Sequence, residues 1–420
     1  MMDFNNSLSH IPGPNAKRIA LRISPPAEHA LRQGHPWIFD QSITEQSHAG
    51  QPGDLAVIFD DKRRFLAVGL YDPTSAIRVR ILQFHQPAAI NGDWFKTRLA
   101  AAARLRLPLI EQAAAKATTG YRLVHGENDG FPGLVVDRYA QTLVIKLYTP
   151  AWIPHLSEFC AALAQGCPAE GVILRFSRAL LKQTELLAGL SDGQTLAGPP
   201  RAGALLFQEN GLVFEADPIL GQKTGFFLDQ RDNRARVERL ARDQAVLNVF
   251  AYTGGFSVYA ARGGAKQVVS VDISAPAMQA ARRNMAHNRH FPGVAAAAHE
   301  TVAEDAFEVL ARMAAEKRRF DLVIIDPPMF AQSQAQTGAA LSAYQRLTRL
   351  GLDVLRAGGV LVQASCSSRV EAEDFFNCVD QAAWQSKRRL IEIERTGHAL
   401  DHPIGFKEGA YLKCLFARAD

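Results

Sequence analysis

The chain has 420 residues, 47% of them hydrophobic, a net charge of +5 and five cysteines. That length exceeds one ordinary core, so two or three domains are expected, and no unbroken apolar run is long enough to span a bilayer. An odd cysteine count without a C-x-x-C pair argues against a disulfide framework and a structural zinc site; it predicts no metal and a cytoplasmic setting. The basic balance permits a polyanionic partner without requiring one.

In chain order, residues 1–16 are polar, contain Pro12, Gly13 and Pro14, and read as a disordered tail. Residues 17–87 are β-like. Leu55–Phe59, Phe65–Leu70 and Ile77–Leu82 are strand candidates separated by Asp60-Asp61 and Asp72-Pro73. Arg78 and Arg80 alternate with Ile77, Val79 and Ile81, giving one basic and one apolar face and two candidate RNA contacts in a small barrel or sandwich. His35-Pro36-Trp37 reads as packing of that barrel.

Residues 88–200 open with an Ala-rich helix from Asp93, broken near Pro108. Strands at Tyr121–Val124 and Leu134–Tyr148 flank the turn-rich loop GENDGFPG, Gly126–Gly133. Ser191–Arg201 looks like a linker. Residues 201–420 alternate strand and helix: strands at Ala245–Phe250, Gln267–Asp272, Phe320–Asp326 and Gly359–Cys366, with a weaker one at Val294–Ala298. Helices are expected from Phe256, from Ala275, over Asp305–Glu316 and over Ala339–Leu355, which predicts a parallel sheet with crossover helices. Leu390–Arg395 and Ala410–Ala417 suggest a closing antiparallel hairpin.

The first strand of that sheet runs into a glycine turn, NVFAYTGGFS, Asn248–Ser257. Asp272 ends the next strand, about 20 residues past the glycines, where an acid can bind a ribose diol. Phe250 and Tyr252 stand where a dinucleotide fingerprint would have glycines, so a ligand with a ribose but no phosphates, such as S-adenosylmethionine, fits better. Asn248, Phe250, Tyr252, Thr253, Gly254 and Asp272 are the candidate cofactor residues here, with Asp305 placed to meet an adenine edge. The segment GQKTGFFLDQRDNR, Gly221–Arg234, is too polar for a core strand; Phe227 with Gln230 or Asp229 are candidate cofactor contacts, and Asp229 with Arg231 could instead be a cap and a surface pair.

Two further residues bring chemistry to the carboxyl edge of the sheet. Asp326 precedes Pro327-Pro328, which stiffen the strand exit, and also counts as a cofactor candidate. Enzymes that methylate exocyclic amines commonly place an aromatic directly after such a turn, whereas here Met329 separates it from Phe330. Cys366 caps the run GVLVQAS. A strand-ending cysteine taken alone is core packing, but beside the DPP turn it reads as a nucleophile: carbon 5 of cytosine takes a methyl group only after a thiolate adds to carbon 6. Cys160, Cys167, Cys378 and Cys414 sit in apolar patterns and read as core.

The pieces GHPWIF, GENDGFPGLVVDRY, GQKTGFFLDQRDNR, NVFAYTGGFS, VVSVDIS, DPPMF, ASCSS and EGAYLK together resemble the bacterial 23S rRNA large-subunit methyltransferase I family, along nearly all of the chain after Lys17. The resemblance implies an N-terminal PUA domain, a central α/β domain and a class I, Rossmann-like S-adenosylmethionine-dependent methyltransferase domain. It implies 23S rRNA or its large-subunit precursor as partner, 5-methylcytosine as product and Cys366 as nucleophile. Some related RNA cytosine methyltransferases carry a second cysteine where this chain has Pro328, and many relatives have lysine where it has Met329. Product release through a second thiol is therefore excluded, leaving Asp326 or water to take the carbon-5 proton.

The expectation is an α/β enzyme that acts as a monomer or homodimer, with a tail over 1–16, an RNA-binding PUA domain over 17–87, a central domain over 88–200 and a methyltransferase domain over 201–420. Two rival readings are an exocyclic-amine RNA methyltransferase and a non-catalytic RNA-binding assembly factor.

Overall fold

A computed structural model describes residues 3–200, 203–331 and 333–420. Met1 and Met2 of the expected tail, and Arg201 and Ala202 at the expected linker boundary, lie outside the described residues. The chain divides into two compact units. One holds Met1–Phe207, Ala216–Phe226 and Leu400–Phe406; the other holds Gln208–Glu215, Phe227–Ala399 and Lys407–Asp420.

The first unit contains two sheets. Strands β1 (Ile19–Ile23), β2 (Trp37–Phe39), β3 (Ile43–Gln46), β4 (Leu55–Phe59), β5 (Phe65–Tyr71) and β6 (Ile77–Phe84) form one sheet in the order β2-β6-β5-β4-β1-β3. Only β1 and β4 pair in parallel; the remaining neighbours are antiparallel. Alternating residues such as Ile19, Leu21, Ile23, Ile58, Val79 and Ile81 fill its core. The expected tail is a correction: α1 (Asn5–Leu8) is a helical turn, and Leu8 is buried in the neighbouring core. Trp37 is not only barrel packing, since its Nε1 donates to Glu127 in the GENDGFPG loop at 2.9 Å.

The second sheet of this unit has β7 (Gly120–His125), β8 (Leu134–Tyr139), β9 (Thr142–Leu147), β10 (Gly171–Phe176) and β11 (Thr195–Ala197), in the order β11-β10-β9-β8-β7. Helix α2 (Pro25–Arg32) follows β1 in the first sheet; helices α3 (Gly92–Ile110) and α4 (Leu156–Gly166) accompany the second, with Phe95, Phe131, Trp152 and Phe159 in the core. The single strand expected over Leu134–Tyr148 is in fact the hairpin β8–β9. Its turn puts Ala140 at φ 50°, a conformation that a sequence reader associates with Gly or Asn.

The other unit is built on a seven-stranded sheet. After the short strands β12 (Leu205–Glu209) and β13 (Leu212–Ala216) come β14 (Ala245–Val249), β15 (Gln267–Val271), β16 (Ala298–Val302), β17 (Phe320–Ile325), β18 (Leu355–Ser365), β19 (Leu390–Thr396) and β20 (Lys413–Ala419). The order is β16-β15-β14-β17-β18-β20-β19, with β14 to β18 parallel and the last hairpin antiparallel. The strand order reverses beside β14, which opens a crevice at the carboxyl ends of β14 and β17. Helix α5 (Arg231–Leu240) leads into the sheet, helices α6 (Gly255–Arg262), α7 (Ala275–His287), α9 (Ala306–Ala315) and α10 (Thr337–Asp353) cross over as expected, and α11 (Ala372–Gln385), which the sequence reading did not include, carries the chain from β18 to β19. The weak strand expected at Val294–Ala298 is a correction. Pro292 starts the short helix α8 (Pro292–Ala296), and the strand begins only at Ala298.

Candidate active site

The turn after β14 is held in an unusual backbone. Phe250 (φ 60°), Tyr252 (φ 46°) and Gly254 (φ 78°) all lie in the left-handed region. Two aromatic residues there are strained, and such strain gathers at ligand sites. Asp272 over-determines it: Oδ2 accepts from the Tyr252 amide at 2.8 Å and Oδ1 from the Ser274 amide at 2.9 Å. A carboxylate has lone pairs to spare beyond those two bonds, so half-buried Asp272 can still accept from a ligand hydroxyl. A Cβ on Gly254 would meet the Ala281 Cβ at 2.8 Å, so the turn lies hard against α7.

The other candidate cofactor residues fall into two groups. Phe227 stacks edge-on against Tyr252 with ring centroids 5.1 Å apart, and Thr253 is buried with a hydroxyl that has no hydrogen-bond partner among the described residues. Asn248, by contrast, is fully buried beneath the turn. Its amide donates to Ser257 at 2.9 Å in a chain that continues to Ser270 and His299, so it supports the turn rather than lining an opening. Asp305 is the N-cap of α9, its Oδ1 accepting from the Phe307 and Glu308 amides. Such a cap is worth about 1 kcal/mol and gives this carboxylate a structural task of its own.

At the reacting edge, Gln230 donates to Asp326 Oδ1 at 2.9 Å, while its carbonyl oxygen accepts from Asn233 at 2.6 Å; Asn233 in turn accepts from Thr396. Asn233 lies in the polar segment Gly221–Arg234 but was not singled out there, and Thr396 carried no sequence signal, because the bond between them spans two distant segments. Gln230 is thereby aligned on the carboxylate, and Tyr411 holds Asp229 next to it at 2.9 Å.

Cys366 follows β18 directly. Its thiol donates to Pro327 O at 3.8 Å, so the sulfur lies at the DPP turn. It is half-buried, whereas Cys160, Cys167, Cys378 and Cys414 are buried. Burial raises the pKa of each of those four, Cys378 up to about 12, which keeps them as inert thiols. The turn beyond Cys366 is tied on several sides. Ser365 bonds the Tyr344 hydroxyl at 2.8 Å, Ser367 donates to Ala331 O at 3.2 Å, and Lys413 donates to the carbonyls of Ser367 and Val370. Phe330 packs on Tyr344 with centroids 5.2 Å apart.

The expected basic face of β6 is corrected in part. Arg80 is buried, donates to Ile77 O at 3.0 Å and lies 3.6 Å from Asp72, so its charge is spent inside the fold rather than offered to RNA. Arg78 is partly exposed; it donates to Pro73 O and lies 3.9 Å from Asp40.

A strained strand–helix turn, an acid closing the next strand and an unpartnered buried hydroxyl fit a nucleoside-bearing ligand without a pyrophosphate. The family model for S-adenosylmethionine-dependent methyltransferases matches residues 121–406, and a PUA-like domain model matches residues 21–84. A ribosomal RNA large subunit methyltransferase of Deinococcus radiodurans is 47% identical over 97% of this chain and 99% of its own length. The ribosomal RNA large subunit methyltransferase I of Shewanella denitrificans is 37% identical over 95% and 99%.

The chain belongs to the ribosomal RNA large subunit methyltransferase I family. As a member of the S-adenosylmethionine-dependent methyltransferases, it uses S-adenosylmethionine as methyl donor. Two solved structures share the fold. One, described as an S-adenosylmethionine-dependent methyltransferase from Streptococcus mutans, has a TM-score of 0.78 at 22% identity over 95% of this chain and 99% of its own. The other, a methyltransferase complexed with S-adenosylhomocysteine, has a TM-score of 0.79 at 22% identity over 96% and 99%. In this methyltransferase no helix among the described residues is long and apolar enough to cross a membrane.

Proposed function

We propose that this methyltransferase modifies carbon 5 of a cytosine in 23S rRNA, or in its large-subunit precursor, through a covalent bond between Cys366 and carbon 6 of the base. The reading is carried by one observation: of five cysteines, only Cys366 is not buried, and its sulfur meets Pro327 O at the DPP turn. The names of the relatives, which refer to large-subunit ribosomal RNA, support the substrate class.

Bound S-adenosylmethionine supplies an electrophilic methyl group on a sulfonium. The Cys366 thiolate adds to carbon 6 and loads electron density onto carbon 5, which then takes the methyl group. Asp326, aligned by Gln230, accepts from the exocyclic amine and, in its protonated form, donates to N3, which takes up the adduct's electron density. The carbon-5 proton leaves to Asp326 or water, and expulsion of the thiolate restores the aromatic ring. Phe227, Thr253, Asp272 and the Phe250–Gly254 backbone would hold the donor, with Asp305 at its adenine end. Residues 17–87, with Arg78 as a phosphate contact, would grip structured RNA while the target base is flipped out of its stack. In the same reading, 88–200 is the central domain and 201–420 the methyltransferase domain.

Methylation of an exocyclic amine is the weaker alternative. It calls for an aromatic free to stack on the base, whereas Phe330 is packed on Tyr344. The deciding experiment pairs Cys366→Ala with a 5-fluorocytosine RNA. The variant should lose methyl transfer yet bind S-adenosylmethionine, and wild type should trap a covalent RNA adduct, because fluorine cannot leave as a proton does. Retained turnover in the variant would remove the covalent mechanism.

A further inference from the structure

Lys413 is an anomaly in the apolar strand β20. It pairs with Ser365, the residue before Cys366, and only 4% of it is exposed. Its ammonium donates to the carbonyl oxygens of Ser367 and Val370, both in the turn that follows Cys366, which the Val370 amide also closes onto Ser367 O. These acceptors are neutral. Lys413 takes part in no ion pair among the described residues, and Glu371, a carboxylate in its field, is mostly exposed and paired with Lys407 at 3.0 Å. A buried cation facing only carbonyl dipoles is costly, and an apolar side chain would fill the same space without that cost. The charge therefore calls for a function.

Its surroundings suggest one. Cys366 lies within its electrostatic reach and favours the charged lysine, while burial works the other way and lowers its pKa to about 8. Tyr344 on α10, which burial keeps protonated, meets the fields of both Cys366 and Asp326, and Glu371 at the head of α11 acts on Lys413. Asp326 and Glu371 both disfavour a second negative charge nearby. A cation beside the thiol offsets that penalty.

We propose that Lys413 is a positioning residue for Cys366: it ties down the Ser367–Val370 turn and supplies the buried positive charge against which the thiolate forms. The inference rests on the reading of Cys366 as nucleophile. In the activating step the Cys366 S–H bond breaks, its proton passes to solvent, and the sulfur keeps the electron pair. A cation beside a neutral thiol becomes a buried ammonium–thiolate pair.

The test measures alkylation of Cys366 by iodoacetamide against pH in the full-length protein, read at the Cys366 peptide by mass spectrometry. Wild type should titrate below the ordinary thiol value of about 8.5. Lys413→Met should raise that midpoint by about one unit, slowing alkylation roughly 10-fold at neutral pH and moving the acid limb of the methyl-transfer profile upward by the same amount. Its affinity for S-adenosylmethionine should stay within about 2-fold. Superimposable wild-type and variant alkylation profiles would overturn the proposal, as would a wild-type midpoint at or above the ordinary value. The alkylation readout does not depend on turnover. Methyl transfer retained by Cys366→Ala would defeat the nucleophile reading while leaving the Lys413 pairing to be judged by its own titration.

Discussion

Gln230 and Asp326, 96 residues apart, are joined by a 2.9 Å hydrogen bond from amide to carboxylate, and Asn233 fixes the amide from behind at 2.6 Å. The carboxylate is therefore aligned before any base arrives, and preorganised groups contribute most when they need not reorient. Gln230→Ala should lower kcat for methyl transfer by about 10- to 100-fold. Asn233→Ala should show a smaller loss in the same direction, about 10-fold, because it acts through Gln230. Steady-state assays on both variants check this, and unchanged kcat in both would dissociate the pair from turnover.

Asp272 is the anchor of the strained turn, and its effect should be on binding. Asp272→Ala frees the Tyr252 and Ser274 amides and lets Phe250 and Tyr252 relax from positive φ. Loss of the two charge-assisted bonds and of any ligand hydroxyl contact should weaken S-adenosylmethionine binding by at least about 10-fold, equivalent to 1.4 kcal/mol. Calorimetric titration gives the number directly. Affinity within about 2-fold of wild type would remove Asp272 from the cofactor site.

How far this site was legible depends on the range over which each residue acts. Asp326 and Cys366 end apolar runs, so strand pattern alone brought both to the sheet edge. Gln230 was visible because a polar segment interrupts an otherwise apolar region. Asn233, Thr396 and Lys413 act through bonds to distant segments, and only the lysine, as a charge inside YLKCLF, broke a local rule. The β8–β9 turn was missed because Ala140-Gln141 lacks a turn former, and β16 because AHETV, half-exposed at an edge, has no apolar run.

Strand alternation put Arg78 and Arg80 on one face, but it could not show that Arg80 meets Asp72, which is 1% exposed, from within the fold. The two should separate experimentally. Arg80→Ala leaves a buried carboxylate without its cation and should destabilise the first unit by roughly 3 kcal/mol, seen as a lower unfolding midpoint. Arg78→Ala should leave the midpoint nearly unchanged while reducing the slope of log RNA affinity against log salt by about one unit. A stable Arg80→Ala protein with weakened RNA binding would restore the original expectation.

Acid should destabilise the cofactor-binding sheet through His299. This imidazole ends the buried chain Asn248–Ser257–Ser270–His299, and burial, followed by repulsion from Arg282, lowers its pKa to about 4. The unfolded chain binds the proton near pH 6.5, so between about 6.5 and 4 the unfolded state holds a proton that the folded state refuses. Stability therefore rises with pH through this window and is lost as pH falls through it, by about 1–3 kcal/mol for this residue. His299→Asn has no such proton to take up. Unfolding midpoints at pH 7.5 and 4.5 should fall further in wild type than in the variant, the paired carboxylates being common to both. Equal falls would mean that the imidazole takes up its proton as readily in the folded protein as in the unfolded chain.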